Sequence, residues 1–443
     1  MARKTRSPVA DAGAGPKLGL AASHGARPKV GLEVSRGARP KVGLALAGGG
    51  PLGAIYEIGA LCALEEAVPG LDLNTLDGYV GVSAGAFVAA GLANGMTPRQ
   101  LCSAFIQNDG PRDDIVRPNL FIRPAFTEYA QRLASLPGLM AMAAFGYAFK
   151  GRSLLASLEH LGRALPTGLF SHAPLERQLR RLLSASGRSN DFRVRHRARG
   201  GRLVLVATDL DSGQAAPFGL PGWDHVPISE AVAASAALPG LFPPVPIDGC
   251  WYVDGALKKT LHARVLLDMG LDLVLCLNPL VPFDATHALR HRVLGGADER
   301  IPRLVQGGLP VVLSQTFRSL IHSRLELGMK GYEASHPGTD IVLFEPDHRD
   351  PALFLANTFG YGQRQRLAEH AYQRTRADLR SRRGVLGATL LRHGLALDHA
   401  VLDDERRTLL KRHRPQTGTR AARALRRLDE VLDDLQRCLA ARL

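Results

Sequence analysis

Apolar and polar residues follow two different periods along the chain. Short apolar runs of strand-forming residues recur through residues 40–345, and between them apolar residues repeat every three or four positions, the period of an amphipathic helix. The strand-like runs are residues 40–47, 76–82, 202–209, 249–256, 271–278 and 340–345. Strands that alternate with helices predict a layered α/β fold with a mainly parallel sheet.

Residues 95–200 interrupt this alternation and predict a helical insertion. Residues 126–133, 153–165 and 174–183 have helical periodicity. Two further stretches, residues 119–126 and 136–149, are apolar, and the second contains Pro137, Gly138 and Gly146. We expect these stretches to pack into the core, with a lid or a membrane-contacting lip as the alternative.

The two ends of the chain differ from the middle. A five-residue pattern, Pro-Lys-Leu/Val-Gly-Leu, begins at Pro16, Pro28 and Pro40, and only the third copy continues into an apolar run. Residues 1–38 therefore predict a basic leader, residues 39–385 the main folded domain, and residues 386–443 a helical extension. Within the extension, leucines at 425, 428, 432, 435 and 439 predict an amphipathic helix.

Charge and cysteine content narrow the possible partners. The net charge is +15, with nine Lys or Arg against two acidic residues in residues 1–41 and twelve against eight from Leu386 onward. Basic ends are consistent with contact with an anionic membrane or with simple exposure to solvent. The basic stretches lack the interleaved aromatic residues and the recognised modules of nucleic-acid-binding proteins, so we expect no nucleic-acid partner. Five scattered cysteines predict free thiols in a reducing compartment. With no apolar signal region and no run of membrane-spanning length, we expect a cytoplasmic protein with peripheral membrane contact as the alternative.

A serine between two glycines lies at the second predicted strand-to-helix junction. Residues 81–85 read Gly-Val-Ser-Ala-Gly, and a small-residue helix follows. This is the pattern of a nucleophile elbow, in which a tight turn exposes the serine hydroxyl beside a helix N-terminus.

A glycine-rich loop at residues 48–53 follows the first predicted strand. Such a loop indicates a phosphate cradle, an oxyanion hole or close packing. It lacks the Lys-Ser/Thr of a P-loop, and the formal Gly-x-Gly-x-x-Gly spacing lacks the acidic residue expected on a second strand. A serine elbow thirty residues later favours the oxyanion hole.

A third turn, Asp254-Gly255-Ala256, completes a set that resembles the patatin-like phospholipases. That family has a Gly-Gly-Gly-x-Arg/Lys-Gly loop, a Gly-x-Ser-x-Gly elbow and an Asp-Gly-Gly/Ala motif in this order. Residues 233–244 and 207–210 also resemble family segments, so the resemblance covers roughly residues 41–280. It implies a three-layer α/β/α fold.

The resemblance also assigns roles to residues. It implies Ser83 as nucleophile and Asp254 as the base that accepts its proton, without a histidine. The resemblance implies that the backbone of Gly48, Gly49 and Gly50 forms the oxyanion hole. The remaining glycines of the motifs are Gly53, Gly81, Gly85 and Gly255. Among the histidines, His262 and His287 could complete a Ser-Asp-His order, but we expect both at the surface. No cluster has metal-ligand spacing, so we expect no metal and no cofactor.

These patterns predict a serine lipid-acyl hydrolase whose substrate is a phospholipid or a related lipid. Leu52 stands where the family usually has Arg or Lys, which keeps open an esterase, thioesterase or polyester depolymerase with the same pair of residues. The other alternative is a membrane-binding protein with an idle site. The sequence predicts no oligomeric state.

Overall fold

The computed structural model describes residues 39–410 except for residues 110, 112–113, 118–119, 151–161, 163, 285–303 and 355–362. From Pro40 onward they belong to one compact unit. The first two copies of the repeat, residues 153–161 and 163 of the helix predicted at residues 153–165, His287 and the leucine pattern of residues 425–439 lie outside the described residues. No described helix combines the length and apolar character needed to cross a membrane.

A central sheet of eight strands organises the described part of the chain. The strands are Val42–Leu46 (β1), Gly78–Val82 (β2), Arg202–Asp209 (β3), Ala215–Phe218 (β4), Val245–Ile247 (β5), Cys250–Asp254 (β6), Leu273–Leu277 (β7) and Asp340–Phe344 (β8). Their order is β5-β6-β3-β2-β1-β7-β8, with β4 paired to β3. The five neighbouring strands β3, β2, β1, β7 and β8 are parallel to one another. Strands β4 and β6 pair with β3 in antiparallel fashion, and β5 pairs with β6 in the same way. The predicted, mainly parallel sheet is confirmed.

Helices lie on both faces of this sheet. They are Gly50–Ala67 (α1), Ala84–Ala93 (α2), Pro98–Leu101 (α3), Phe126–Lys150 (α4), Ala173–Leu183 (α5), Phe192–Arg199 (α6), Ile228–Ser235 (α7), Arg264–Asp268 (α8), Gly308–Ser335 (α9), Pro351–Phe354 (α10), Arg364–Ser381 (α11), Arg383–Arg392 (α12) and His399–Asp403 (α13). Along β1, Leu44 and Leu46 pack in the cluster that contains α1 and α2, while Ala45 packs with Leu266 of α8 and Leu325 of α9. The strand is therefore buried on both faces, as expected for a covered parallel strand.

Helix α1 begins earlier than its periodicity predicts. Residues 54–68 have the helical pattern, but the helix starts at Gly50, with Pro51 in its first turn. Proline favours this position because its fixed φ suits a helix and its missing N–H would be unpaired there. The glycine-rich segment is thus half loop and half helix.

Helix α4 differs from the expectation of core packing. It runs without interruption through Pro137 and Gly138. Leu139 is buried, but Leu133 and Met140 are 65% and 61% exposed. Core packing is therefore wrong for most of the described side chains of this helix.

Candidate active site

Ser83 lies in the turn between β2 and α2 in a backbone conformation that few residues adopt. Its φ is 53° and its ψ is −116°, and such strained conformations cluster at functional sites. The turn is tight: a Cβ on Gly81 would lie 2.5 Å from the Gly85 carbonyl oxygen, and a Cβ on Gly85 would lie 2.4 Å from the Leu46 carbonyl oxygen. Both glycines are required because the backbone passes this close.

A second serine, Ser235 at the end of α7, supports the turn. The Ser83 backbone N–H donates to Ser235 Oγ (2.8 Å), and the Ser235 hydroxyl donates to the Val206 carbonyl oxygen of β3 (2.6 Å). Ser235 is fully buried. No local pattern around Ser235 indicates this role beyond its place in a small-residue helix.

Asp254 ends β6 at the level of Ser83 across the sheet. Val82 pairs with Val206, and the next residue of β3, Ala207, pairs with Asp254. The Asp254 carboxyl is buried and accepts a hydrogen bond from the Ala256 N–H at 2.9 Å. The Ser83 hydroxyl lies close enough to this carboxyl to act on it and lower its pKa.

The surroundings of Asp254 set its acidity. Burial raises the pKa of its carboxyl to about 6, and the Ser83 hydroxyl and the Ala256 N–H act in the opposite direction. A buried carboxylate with donors of this kind is ionised at neutral pH yet basic enough to accept a proton.

The first two glycines of the glycine-rich segment lie between β1 and α1. A Cβ on Gly48 would lie 3.2 Å from Ser83 Cβ and 3.1 Å from Ala256 Cβ, so the Gly48 backbone packs directly against the serine. Gly49 precedes the N-terminus of α1 and packs against Pro279, and Gly50 is the first residue of that helix. Two helix N-termini, those of α1 and α2, thus begin beside Ser83, where they favour negative charge.

Gly53 and Gly255, the remaining motif glycines, hold neighbouring segments close. A Cβ on Gly53 would lie 3.1 Å from Pro279 Cγ, and a Cβ on Gly255 would lie 2.1 Å from the Val206 carbonyl oxygen. Gly255 therefore lets the chain after Asp254 press against β3, which fixes the carboxyl next to Ser83.

Leu52, at the position of the family's basic residue, is buried. It is 7% exposed and belongs to the main hydrophobic core. The first turn of α1 (Gly-Pro-Leu-Gly) therefore has no cationic side chain to contact a substrate phosphate.

Of the two histidines named from the sequence, the structure describes His262, whose hydrogen-bond contact is with Gly255 and not with Ser83 or Asp254. His262 was expected at the surface, and this is wrong: it is buried, and its Nε2 faces the Gly255 carbonyl oxygen at 3.4 Å. Burial lowers its pKa to about 4. His225 is exposed and pairs with Asp248 at 2.6 Å.

One segment of the insertion crosses the chain that leads to β5 and β6. The Leu169 N–H donates to the Gly240 carbonyl oxygen (3.2 Å), and the Phe170 N–H donates to the Leu241 carbonyl oxygen (2.7 Å). Leu169 also joins this segment to α4, because its carbonyl oxygen accepts a hydrogen bond from the Ala125 N–H. The insertion is therefore tied to the part of the chain that carries Asp254.

Comparison with known proteins identifies the family. The model of the family described as patatin-like phospholipase matches residues 44–267, just over half of the chain. The chain belongs to the patatin-like phospholipase family, a family of lipid acyl hydrolases, which confirms the resemblance seen in the motifs.

Solved structures with partial similarity include two bacterial proteins. VipD from Legionella pneumophila is 17% identical with a TM-score of 0.35, over 78% of this chain and 67% of VipD. The type III effector protein ExoU is 18% identical with a TM-score of 0.30, over 77% of this chain and 53% of ExoU. The match thus spans about half the length of ExoU. At these identities and TM-scores, neither likeness bears on the substrate.

Proposed function

We propose that the protein is a serine lipid-acyl hydrolase that cleaves carboxylic ester bonds of phospholipids or related lipids. Ser83 is the nucleophile and Asp254 is its base. The observation that carries this proposal is the tight, strained turn that holds Ser83 beside the buried Asp254 carboxyl, whose pKa is raised to about 6.

The reaction runs in two steps through an acyl-enzyme. Ser83 Oγ attacks the ester carbonyl carbon while its proton passes to Asp254, and the tetrahedral intermediate expels the alcohol, which takes that proton. Water then attacks the acyl-serine, gives its proton to Asp254, and releases the fatty acid as Ser83 regains its hydrogen. Asp254 must be ionised at the start of each step.

The oxyanion of each tetrahedral intermediate needs donors beside Ser83. The Ser83 N–H is occupied by Ser235, so we assign this role to the backbone N–H groups of Gly48, Gly49 and Gly50. Losing one such donor typically costs about 3 kcal/mol of transition-state stabilisation. The N-termini of α1 and α2 favour the same negative charge.

Exposed apolar side chains support a lipid substrate. On and beside the insertion, Phe126 is 71% exposed, and Leu165 and Leu169 are exposed as well. Exposed apolar surface of this kind is typical of contact with a membrane or an apolar ligand. Peripheral contact through the basic ends of the chain, residues 1–38 and 386–443, belongs to the same proposal.

A second candidate function keeps Ser83 and Asp254 and changes the substrate to a thioester, a polyester or a small soluble ester. The buried Leu52 favours it, because no cation is available there to hold a phosphate.

Two substrates separate these functions. Wild type, Ser83→Ala and Asp254→Asn are assayed on a short p-nitrophenyl ester and on mixed phospholipid vesicles, with the exposed Ser186→Ala and Asp211→Asn as matched controls. Vesicle cleavage that both site substitutions abolish, and that both controls retain, supports the phospholipid substrate. Cleavage of the soluble ester alone favours the second candidate.

An idle site is the outcome that would overturn both enzymatic functions. If folded wild type cleaves neither substrate, a membrane-binding role takes first place. Deleting residues 1–38 then tests it, since a membrane-binding protein that uses this segment should lose its salt-sensitive attachment to anionic vesicles.

A further inference from the structure

Three potential metal ligands from separate segments meet beyond the carboxyl ends of β7 and β8. They are His322 on α9, Glu345 directly after β8, and His348. One candidate ligand atom from each, all lying within 4.8 Å of one another, forms the group. None of these residues belongs to the active site described above.

The His322 ring presents an unpaired nitrogen to Glu345. Its Nε2 lies 3.4 Å from Glu326 Oε1, one helical turn away, which favours the tautomer with the proton on Nε2. His322 Nδ1 is then an acceptor; it is buried and has no hydrogen-bond partner. It lies 3.7 Å from Glu345 Oε1, another acceptor. The lone pairs of His322 Nδ1 and Glu345 Oε1 face each other away from solvent, and a cation bound between them would compensate both.

The other two side chains are held in matching orientations. His348 Nδ1 lies 3.2 Å from the Pro282 carbonyl oxygen, which leaves Nε2 as the acceptor of this ring, and the two imidazoles are 4.7 Å apart. Glu345 Oε1 accepts a hydrogen bond from Asn278 Nδ2 at 2.7 Å. Ligand histidines and carboxylates in metal sites are fixed by outer hydrogen bonds of this kind.

We propose that His322, Glu345 and His348 bind a zinc ion. Two imidazoles and one carboxylate are a ligand set that Zn²⁺ uses with a water as fourth ligand, whereas Ca²⁺ and Mg²⁺ prefer oxygen alone. Zn–N and Zn–O bonds of about 2.1 Å at a tetrahedral angle separate neighbouring ligand atoms by roughly 3.4 Å. The observed 3.7 Å between His322 Nδ1 and Glu345 Oε1 is close to that separation.

The site is connected to the glycine-rich segment through the chain after β7. Asn278 holds Glu345, and the next residue, Pro279, packs against Gly49 and Gly53. A bound ion would tie α9 and the ends of β7 and β8 together behind this segment. Zinc therefore has a stabilising role here, and the proposal does not depend on the hydrolase function.

Metal binding is measured on full-length protein stripped with a chelator. Zn²⁺ titration against a chromophoric competitor is expected to give one tight site per chain, and Zn²⁺ is expected to raise the Tm. Co²⁺ in the same site gives a visible spectrum without a thiolate charge-transfer band. Glu345→Gln and His348→Gln should weaken Zn²⁺ binding by more than the ~10–100-fold typical of losing an outer hydrogen bond. Glu326→Gln should weaken it about tenfold.

The matched control is His225→Gln, an exposed histidine that pairs with Asp248 outside the cluster; it should bind Zn²⁺ like wild type. In Glu345→Gln, the amide oxygen can still accept the hydrogen bond from Asn278 Nδ2. Circular dichroism of the metal-free proteins checks that the variant is folded. Equal, weak Zn²⁺ binding by wild type and Glu345→Gln overturns the proposal. A Co²⁺ thiolate band overturns it as well, whatever the folding of the variants, because it assigns the ion to cysteines such as the partly exposed Cys250.

Discussion

Two buried carboxyl groups, Asp254 and Glu57, behave differently. Both are almost fully buried, and burial is the main cause of the raised pKa of each. The Asp254 carboxyl accepts a hydrogen bond from the Ala256 N–H, and the Ser83 hydroxyl also acts to lower its pKa. The Ala47 N–H acts to lower the pKa of Glu57, but it already donates to the Leu277 carbonyl oxygen. Neither carboxyl oxygen of Glu57 has a hydrogen-bond partner.

This difference shows what allows a buried carboxyl group to act as a base. Burial alone favours the neutral form, so the pKa of Glu57 is raised well above its ordinary value. Donors that stabilise the charged form bring Asp254 back to a pKa of about 6. The hydrogen bonds, rather than the burial, therefore distinguish a potential base from an inert core acid.

The largest expected effect comes from removing the nucleophile. Ser83→Ala should lower kcat on the order of 10⁴-fold or more, because the acyl-enzyme can no longer form. It also removes a donor from Asp254, so the pKa of that carboxyl should rise above about 6. Esterase kinetics test the first effect and pH-dependent denaturation the second; substantial remaining turnover would place the nucleophile elsewhere.

Asp254→Asn should lower kcat by roughly 10²–10⁴-fold, the usual contribution of a general base. The same change should stabilise the fold. The raised folded-state pKa means that the stability from protonated Asp254 is present below its ordinary pKa of 3.8 and is lost as the pH rises through about 6. Above pH 6 the variant should therefore gain up to about 3 kcal/mol in free energy of unfolding. Urea denaturation at pH 5 and pH 8 checks this; equal stabilisation at both values would contradict it.

The pH profile of wild type should follow Asp254. Because the base must be ionised, kcat/KM is expected to fall about tenfold per pH unit below pH 6 and to be flat just above it. The pKa of about 6 sets the position of the bend. A bend near pH 4 would instead indicate that the ionising group is an ordinary, solvated carboxylate. Asp254 would then not differ from other carboxylates by a raised pKa.

The smallest expected effect on activity is that of Glu57→Gln. This substitution should lower activity at most about threefold, because a neutral side chain replaces a neutral acid. Stability should respond instead. In wild type the folded state retains a proton that the unfolded state loses above pH 4.5, so stability falls by up to about 1.4 kcal/mol per pH unit. The variant lacks this slope between pH 5 and pH 7. A catalytic loss as large as that of Asp254→Asn would make Glu57 part of the site.

The sequence predicts features that rest on local chemistry. The glycines around Ser83 and the order of the three motifs indicate the elbow and the candidate aspartate, because a tight turn needs small residues wherever it occurs. The short strands β4 and β5 have no such signal, and their pairing to β3 and β6 forms only in the sheet.

Features that depend on distant segments are not predictable in this way. His262 looks like a loop histidine, yet it is buried. The group of His322, Glu345 and His348 joins a helix to the chain after β8, so no spacing in the sequence matches a metal motif. Their meeting follows from the position of α9 against the sheet, which the local pattern does not specify.

The packing of α1 has a consequence for how the protein is made. Helix α1 leads directly from the glycine-rich segment, and a Cβ on its Gly59 would lie 2.6 Å from the Ala368 carbonyl oxygen of α11. Its neighbouring strand, β1, pairs with β7. Both partners come later in the chain, so a nascent polypeptide that has emerged only as far as Asp254 contains Ser83 and Asp254 but lacks the support for its glycine-rich turn. During synthesis, that support is complete only after α11 has left the ribosome.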